Sequence, residues 1–205
     1  MADYPCRFNL PAQVSAYLAD FPATPDRALV AIEIGGNDVR DALVAAALLG
    51  QDPTPYIQHP LGSLVDSVTQ LYFHGARRFL LLNVPDVGKT PAVRMLDQSF
   101  PGIAGFAGLL SQGYNSGLAG VVQGLNVALP GIDVRVLDVY AMLNAVVADP
   151  GSCGFLNATE ACVTPNLPPF TCTRPDTYVF WDGIHPTKAL HDLVAQQAIE
   201  LIAEP

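Results

Sequence analysis

The feature that most constrains the fold of this chain is a pair of short, mainly apolar runs, Ala28–Ile34 and Phe79–Val84. An apolar run of this length predicts a buried strand, and the continuous run Phe79–Val84 predicts one that is covered on both faces. A third run, Val134–Val139, predicts another strand. Because segments with helical periodicity separate the three runs, the sequence predicts an α/β fold with a parallel sheet, in one domain that spans residues 1–205.

The segments between these strands repeat apolar residues at spacings of three and four, which is typical of helices that pack against a sheet. Helices are predicted at Pro11–Asp20, Arg40–Leu49, Leu61–Phe73, Phe106–Leu125 and Tyr140–Val147, with a last helix that has Thr187 as its N-cap. Residues 1 to about 10 are predicted to form an irregular arm. Loops are predicted at Gly50–Pro60, which contains His59, at Asp86–Pro101, and at Ala148–Tyr178.

The charge balance limits the classes of partner. The 205 residues include 10 Lys and Arg against 19 Asp and Glu, which gives a net charge of −9. Because the sequence has no basic stripe, it predicts neither nucleic-acid nor anionic-membrane binding. No apolar run is long enough to span a bilayer, and the first residues lack the basic start and apolar core of a signal peptide.

Three of the four cysteines, Cys153, Cys162 and Cys172, lie in the predicted Ala148–Tyr178 loop, and the fourth is Cys6. This distribution favours a disulfide that closes a long loop in an oxidising compartment, and so a secreted or periplasmic protein. The short span predicts Cys153–Cys162, with Cys6–Cys172 as a second pairing. A zinc site is not predicted, because no Cys-x-x-Cys pair occurs and no His lies among the three.

A carboxylate and an imidazole lie three residues apart in Val179–Pro186, at Asp182 and His185. A carboxylate orients an imidazole and stabilises its charged form, and the imidazole can then transfer protons near neutral pH. Asp182-Gly183 is a common turn pair, and Pro186 prevents a smooth helix through His185. The spacing alone favours the alternative interpretation, a turn with a surface histidine.

A second polar stretch, Gly35-Gly36-Asn37-Asp38, follows the first predicted strand directly. Open α/β sheets bind ligands at the carboxyl ends of their strands, so this stretch brings an Asn amide to that edge. An amide donates hydrogen bonds and can stabilise an oxyanion that develops during a reaction. The alternative interpretation is an ordinary strand-to-turn junction, which also favours Gly, Asn and Asp.

Taken together, the two stretches resemble the SGNH, or GDSL-type, hydrolases. Gly35–Asp38 matches that family's Gly-x-Asn-Asp block, and Asp182–His185 matches its Asp-x-x-His block. Gly75–Pro91 and Phe180–Thr187 resemble the branch that contains plant-type and bacterial lecithinase-like esterases and lipases. The resemblance extends from about Gln13 to the end of the chain.

The resemblance implies a flavodoxin-like three-layer α/β/α sandwich that hydrolyses a small-molecule acyl ester without a cofactor or metal. It implies His185 as the general base, Asp182 as its orienting residue and Asn37 as an oxyanion-hole donor, with Gly35 and Asp38 supporting the site. Acyl length and alcohol group stay open.

Two family blocks are missing from the sequence: the Gly-Asp-Ser strand end with the nucleophile, and the block that follows it. The sequence therefore predicts an N-terminally incomplete member with no identified nucleophile, since Ser15 and Ser63 are both interpreted as helix residues. Loss of the first strand would leave Ala28–Ile34 at a sheet edge, which predicts self-association into a homo-oligomer. The alternative is an inactive fragment that acts as a binding or interaction module.

Overall fold

The structure, a computed structural model, describes residues 9–164, 168 and 170–203. These residues form seven α-helices: α1 (Leu10–Asp20), α2 (Gly36–Leu49), α3 (Thr54–Phe73), α4 (Pro91–Ser99), α5 (Ile103–Ala128), α6 (Val139–Ala148) and α7 (Lys188–Ala203). They also form five strands: β1 (Leu29–Glu33), β2 (Arg78–Leu82), β3 (Asp133–Leu137), β4 (Asn157–Ala161) and β5 (Tyr178–Phe180). Cys6 and most of the predicted N-terminal arm lie outside the described residues.

The three apolar runs form the main sheet. Its order is β1-β2-β3 and all its strands are parallel, with Leu29 opposite Arg78 and Arg78 opposite Asp133. The predicted parallel sheet is therefore confirmed, with β1 as an edge strand. Since the carboxyl ends of parallel strands share one edge, residues that follow β1, β2 and β3 meet there.

Successive residues of β2 enter two different cores because side chains alternate across a strand. Phe79 and Leu81 pack with residues of α1, α2, α3 and α5. Leu80 packs on the other face with Leu143 of α6 and Leu190 of α7. The sheet thus has helices on both sides, which confirms the predicted α/β/α layers. In the described part of the chain, no helix is both long and apolar enough to cross a bilayer.

A second sheet forms where the sequence predicted a continuous cysteine loop. β4 and β5 pair in parallel, and Ala158 and Val179 are buried beneath the α6–α7 layer. The loop prediction for Ala148–Tyr178 was wrong here because β4 lacks alternating apolar residues. Its stability comes from pairing with a strand that is distant in sequence.

Two other predicted loops contain helix. α3 begins at Thr54 inside the predicted Gly50–Pro60 loop, where the N–H of Thr54 donates to the Asp52 carboxylate, and it includes His59. Similarly, α4 occupies much of the predicted Asp86–Pro101 loop. Pro55 and Pro91 lie in the first turns of these helices, where the missing N–H of proline leaves no bond unmade, whereas Pro60 lies inside α3.

The cysteine pairing also differs from the prediction. The disulfide joins Cys162 to Cys172, whose Cα atoms are 5.5 Å apart, and Cys153 is an exposed free thiol. The predicted Cys153–Cys162 bridge was wrong because the extended strand β4 separates these two residues, at about 3.3 Å per residue. Cys162 is thereby carried to the far end of the small sheet, where its N–H donates to the Phe180 carbonyl.

Candidate active site

The loop that follows β5, Trp181–Pro186, is closed by its own hydrogen bonds. Phe180 and Pro186 form an isolated antiparallel bridge, and the Trp181 N–H donates to the His185 carbonyl at 2.8 Å. Inside the loop, Asp182 Oδ1 accepts from the backbone N–H groups of Ile184 and His185, at 2.8 and 2.7 Å. This Asx-type turn fixes the Asp182 carboxylate without help from other elements.

The other oxygen of the same carboxylate contacts the imidazole. Asp182 Oδ2 lies 2.8 Å from His185 Nδ1. Because an ionised carboxylate can only accept, the proton of this bond lies on Nδ1 and Nε2 is left as the basic nitrogen. The His185 side chain is 67% exposed, whereas Asp182 is largely covered. The free nitrogen therefore belongs to an oriented imidazole on the surface.

The environment of Asp182 favours its charged form. Partial burial raises the pKa of this carboxyl, but hydrogen bonds from the His185 ring and from the N–H groups of His185 and Ile184 outweigh it. The pKa is therefore lowered from its ordinary value of 3.8. An anionic Asp182 at neutral pH can hold the imidazole in one tautomer and stabilise it when it gains a proton.

Helix α4 holds the loop from outside. The N–H of Ala92, in the first turn of α4, donates to the Gly183 carbonyl at 2.9 Å. A Cβ on Gly183 would lie 3.3 Å from the Ala92 Cβ, so the two backbones pack closely. The sequence analysis missed this support, although Thr90-Pro91 at the N-cap and first position is a recognised signal for the start of a helix.

The small sheet supports the base of the loop on its other side. The Val163 N–H donates to the Trp181 carbonyl at 2.8 Å, next to the Cys162–Cys172 disulfide. The predicted N-cap residue, Thr187, is 1% exposed, and its hydroxyl accepts from the Leu190 N–H and donates to the Tyr178 carbonyl. The loop is thus fixed at both ends as well as at its centre.

The second predicted element, Gly35–Asp38, lies at the junction of β1 and α2. Gly35 is the N-cap residue of α2 and has a φ of 108°. A Cβ at Gly35 would lie 2.5 Å from Val84 Cγ2 and 2.6 Å from Tyr114 Cζ, so this turn is held by steric packing and requires glycine. Asn37 therefore belongs to the first turn of α2, not to the strand end itself.

Asn37 is exposed, and within the described residues it forms no hydrogen bond with Asp182 or His185. Its neighbour Asp38 is partly buried. Burial and the nearby Asp41 raise the pKa of Asp38, against the lowering effects of its own backbone N–H, His59 and Arg40. The loop prediction for His59 was wrong in structure, yet the residue contributes to the field at this turn.

Tyr114 is the packing partner of the Gly35 turn. Its side chain is 1% exposed, and its hydroxyl has no hydrogen-bond partner within the described residues. Burial, and then the charge of Asp38, raise the pKa of this phenol. Tyr114 therefore contributes here as a neutral, buried ring.

The two serines considered from the sequence lie on helices, as predicted. Ser15 is an exposed residue of α1 and Ser63 lies in α3. No serine in the described ranges is hydrogen-bonded to His185. Among the described residues, the structure thus shows an oriented imidazole without a serine partner.

A polar cluster not expected from the sequence follows β2 and β3. Asn83 Nδ2 donates to Asp138 Oδ1 at 2.8 Å, and Asn83 Oδ1 accepts from the Tyr140 N–H. Asn83 and Asp138 line a cavity of about 280 Å³ together with Asn115 and Val136. The cluster joins the carboxyl ends of two strands. It also provides hydrogen-bond acceptors for backbone N–H groups at the start of α6, where Asp138 is the N-cap residue. A structural role accounts for it.

Comparison with known proteins gives one consistent group. The family model described as GDSL-like Lipase/Acylhydrolase matches residues 7–198. Among curated proteins of Arabidopsis thaliana, GDSL esterase/lipase At2g23540 is 29% identical over 191 residues, which cover 84% of this chain and 49% of the relative. GDSL esterase/lipase At1g29660 is 26% identical over 209 residues, with coverages of 93% and 57%. GDSL esterase/lipase At5g03810 is 30% identical over 193 residues, with coverages of 84% and 54%. The chain spans about half the length of the curated relatives it matches.

Proposed function

The chain belongs to the GDSL-like lipase and acylhydrolase family, and from that premise we propose that it supplies the acid–base residues of a carboxylic-ester hydrolase. The observation that carries the proposal is the 2.8 Å hydrogen bond between Asp182 and an exposed His185. An imidazole held by a carboxylate, with its other nitrogen free, is the arrangement that acyl transfer to a hydroxyl or water requires.

In the proposed reaction, His185 Nε2 takes a proton from the attacking hydroxyl and returns it to the leaving alcohol. Asp182 keeps the proton of Nδ1 in place. It also stabilises the imidazolium that exists between the two proton transfers. Asn37 donates a hydrogen bond from its side-chain amide to the oxyanion that develops on the ester carbonyl. Gly35 and Asp38 support Asn37 by fixing the start of α2.

The nucleophile is not assigned to any residue of this chain. Without one, His185 could activate a water molecule against an ester held near Asn37. In serine hydrolases that lack triad members, a rate of about 10³–10⁴-fold over water remains. We therefore propose that this chain alone hydrolyses esters weakly. The unassigned nucleophile favours a second candidate, an inactive fragment that acts as a binding or interaction module.

A chromogenic short-chain ester tests the first function against the second. We expect slow turnover by the chain and its loss in His185→Ala, because the general base is removed. The matched control is His191→Ala. His191 is also exposed; it lies on α7 and is close to His185 in sequence. Equal turnover in both variants and the parent chain would remove His185 from the mechanism. Stoichiometric labelling of a serine by a fluorophosphonate probe would identify a nucleophile and contradict the proposed weak activity.

The edge position of β1 supports a proposal about assembly. β1 has a strand partner on one side only within the described residues, and Leu29 on this strand is exposed. We propose that residues 1–205 form one domain and that two copies associate through β1, since unpaired apolar edges favour pairing. A constant monomer mass in sedimentation across a wide concentration range would contradict this.

The Cys162–Cys172 disulfide supports a proposal about location. Because disulfides persist in oxidising compartments, we propose that the protein acts in a secreted or periplasmic setting. Recovery of both cysteines as reduced thiols from the native source would argue against it.

A further inference from the structure

Three large apolar side chains are exposed around the His185 loop. Trp181 and Ile184, which belong to the loop, are 41% and 45% exposed, and Met95 on α4 is 62% exposed. We call these three residues the apolar lip. Single exposed apolar residues are common on soluble proteins, whereas a group beside a candidate catalytic histidine calls for an explanation.

The hydrogen bond between α4 and the His185 loop places Met95 near Trp181 and Ile184. Ala92 contacts Gly183 at the centre of the loop. Met95 lies three residues further along α4, so it shares the helix face of Ala92 and is displaced by about one turn. Met95 therefore extends the surface of the loop in the direction of α4.

The same bonds keep the lip next to His185. Ile184 directly precedes His185, and the Trp181 N–H is bonded to the His185 carbonyl. The Asp182 carboxylate occupies the inside of the turn through its bonds to the Ile184 and His185 N–H groups. Trp181 and Ile184 are therefore held in the same hydrogen-bonded turn as the His185 ring.

We propose that the apolar lip binds the aliphatic chain of the ester substrate. This inference rests on the proposed function, because it assigns the substrate's chain to the same site. The lip side chains carry no charge, so they recognise an alkyl chain by burying it and select for its length. Met and Trp suit this role, since a flexible thioether and a broad ring adapt to chains of varied shape.

The sequence contains one tryptophan, so the emission of Trp181 reports binding at the lip without any need for catalysis. The probe is a homologous series of methyl ketones, which keep the carbonyl of an ester and cannot be hydrolysed. Below their aggregation concentration, we expect a blue shift of emission and an affinity that rises about twofold per methylene, because an open surface covers roughly half of each group. An affinity that is independent of chain length would overturn the proposal.

The variant that tests the lip is Met95→Ser, and its matched control is Ile199→Ser. Ile199 is 60% exposed on α7 and lies about 16 Å along that helix from its start, away from the loop. We expect Met95→Ser to weaken the longest ketone severalfold and to flatten the dependence on length, while Ile199→Ser leaves both unchanged. Equal effects of the two substitutions would overturn the proposal.

Ester hydrolysis separates this inference from the function on which it rests. If ketones bind with the expected length dependence but no ester is hydrolysed, the proposed role of the lip is supported and the hydrolase proposal is contradicted. If esters are hydrolysed but Trp181 emission does not respond to any ketone, the proposed role of the lip is contradicted and the hydrolase proposal is supported. A response to phospholipid vesicles alone would overturn the lip in favour of membrane contact. Where turnover occurs, lengthening the acyl side and the alcohol side separately shows which chain the lip takes.

Discussion

The two parts of the candidate site each contain one carboxylate, and the pKa values of these carboxylates are shifted in opposite directions. In the His185 loop, hydrogen bonds lower the pKa of Asp182. In the Gly35–Asp38 turn, burial and Asp41 raise the pKa of Asp38. The loop is thus held by bonds to a charged group, whereas the turn is held by packing that disfavours charge. The comparison teaches that the His185 imidazole is oriented electrostatically, whereas Asn37 is positioned sterically.

The largest effect is expected at the packed turn. Gly35→Ala places a Cβ 2.5 Å from Val84 Cγ2 and forces a side chain onto a φ of 108°. Overpacking together with left-handed strain should lower the free energy of unfolding by about 3–5 kcal/mol. Urea denaturation measures this change.

The matched control for that substitution is Gly36→Ala, since a Cβ there has nothing within 4 Å. We expect Gly36→Ala to change the free energy of unfolding by less than about 1 kcal/mol. If the two substitutions destabilised the protein equally, the claim that packing holds the turn would be wrong.

The disulfide beside the His185 loop should have a smaller effect. Cys172→Ser opens a loop with a sequence separation of 10. In the chain-entropy model, the loss of a bridge of this size lowers the free energy of unfolding by about 2–3 kcal/mol. Cys153→Ser, which replaces the exposed free thiol, should leave the unfolding midpoint unchanged. A loss of stability in Cys153→Ser with none in Cys172→Ser would favour the other pairing.

The smallest effect concerns pH and tests the comparison most directly. Because the pKa of Asp182 is lowered in the folded protein, its contribution to stability is present above pH 3.8 and is lost as the pH falls through the lowered value. Asp182→Asn should therefore reduce the loss of stability between pH 5 and pH 3 by roughly 1 kcal/mol or less, since burial opposes the hydrogen bonds that lower the pKa.

Asp38 should show the opposite sign. Its raised pKa means that ionisation costs stability as the pH rises above 3.8, so Asp38→Asn should stabilise the protein at pH 7 relative to pH 3. Thermal unfolding of both variants across this range provides the measurement. Slopes of the same sign would show that the two carboxylates do not differ as described.

What the sequence could predict follows from how local each feature is. The strands β1, β2 and β3 were recognisable because each is a short, mainly apolar run between segments of helical periodicity, although only β2 is buried along most of its length. Asp182 and His185 were recognisable because they are only three residues apart and the turn that joins them is formed by the same short segment of sequence. Gly35 was found as part of a motif, although its packing against Tyr114 was not.

The features that were missed depend on partners that are distant in sequence. β4 exists through its pairing with β5, and this pairing separates Cys153 from Cys162. The bond from Ala92 to Gly183 requires α4, which the sequence analysis assigned to a loop. In each case the local sequence is compatible with two structures, and tertiary contact decides between them.

The bond between α4 and the loop has a consequence for the order of events during biosynthesis. α4 leaves the ribosome well before Gly183, since α5, β3, α6 and the small sheet are all translated between them. Until then, the Ala92 N–H lacks its loop partner, and contacts of such long sequence separation form late. The nascent chain can therefore build much of the main sheet while the His185 loop still lacks its contact with α4, so the main sheet forms before the candidate site is complete.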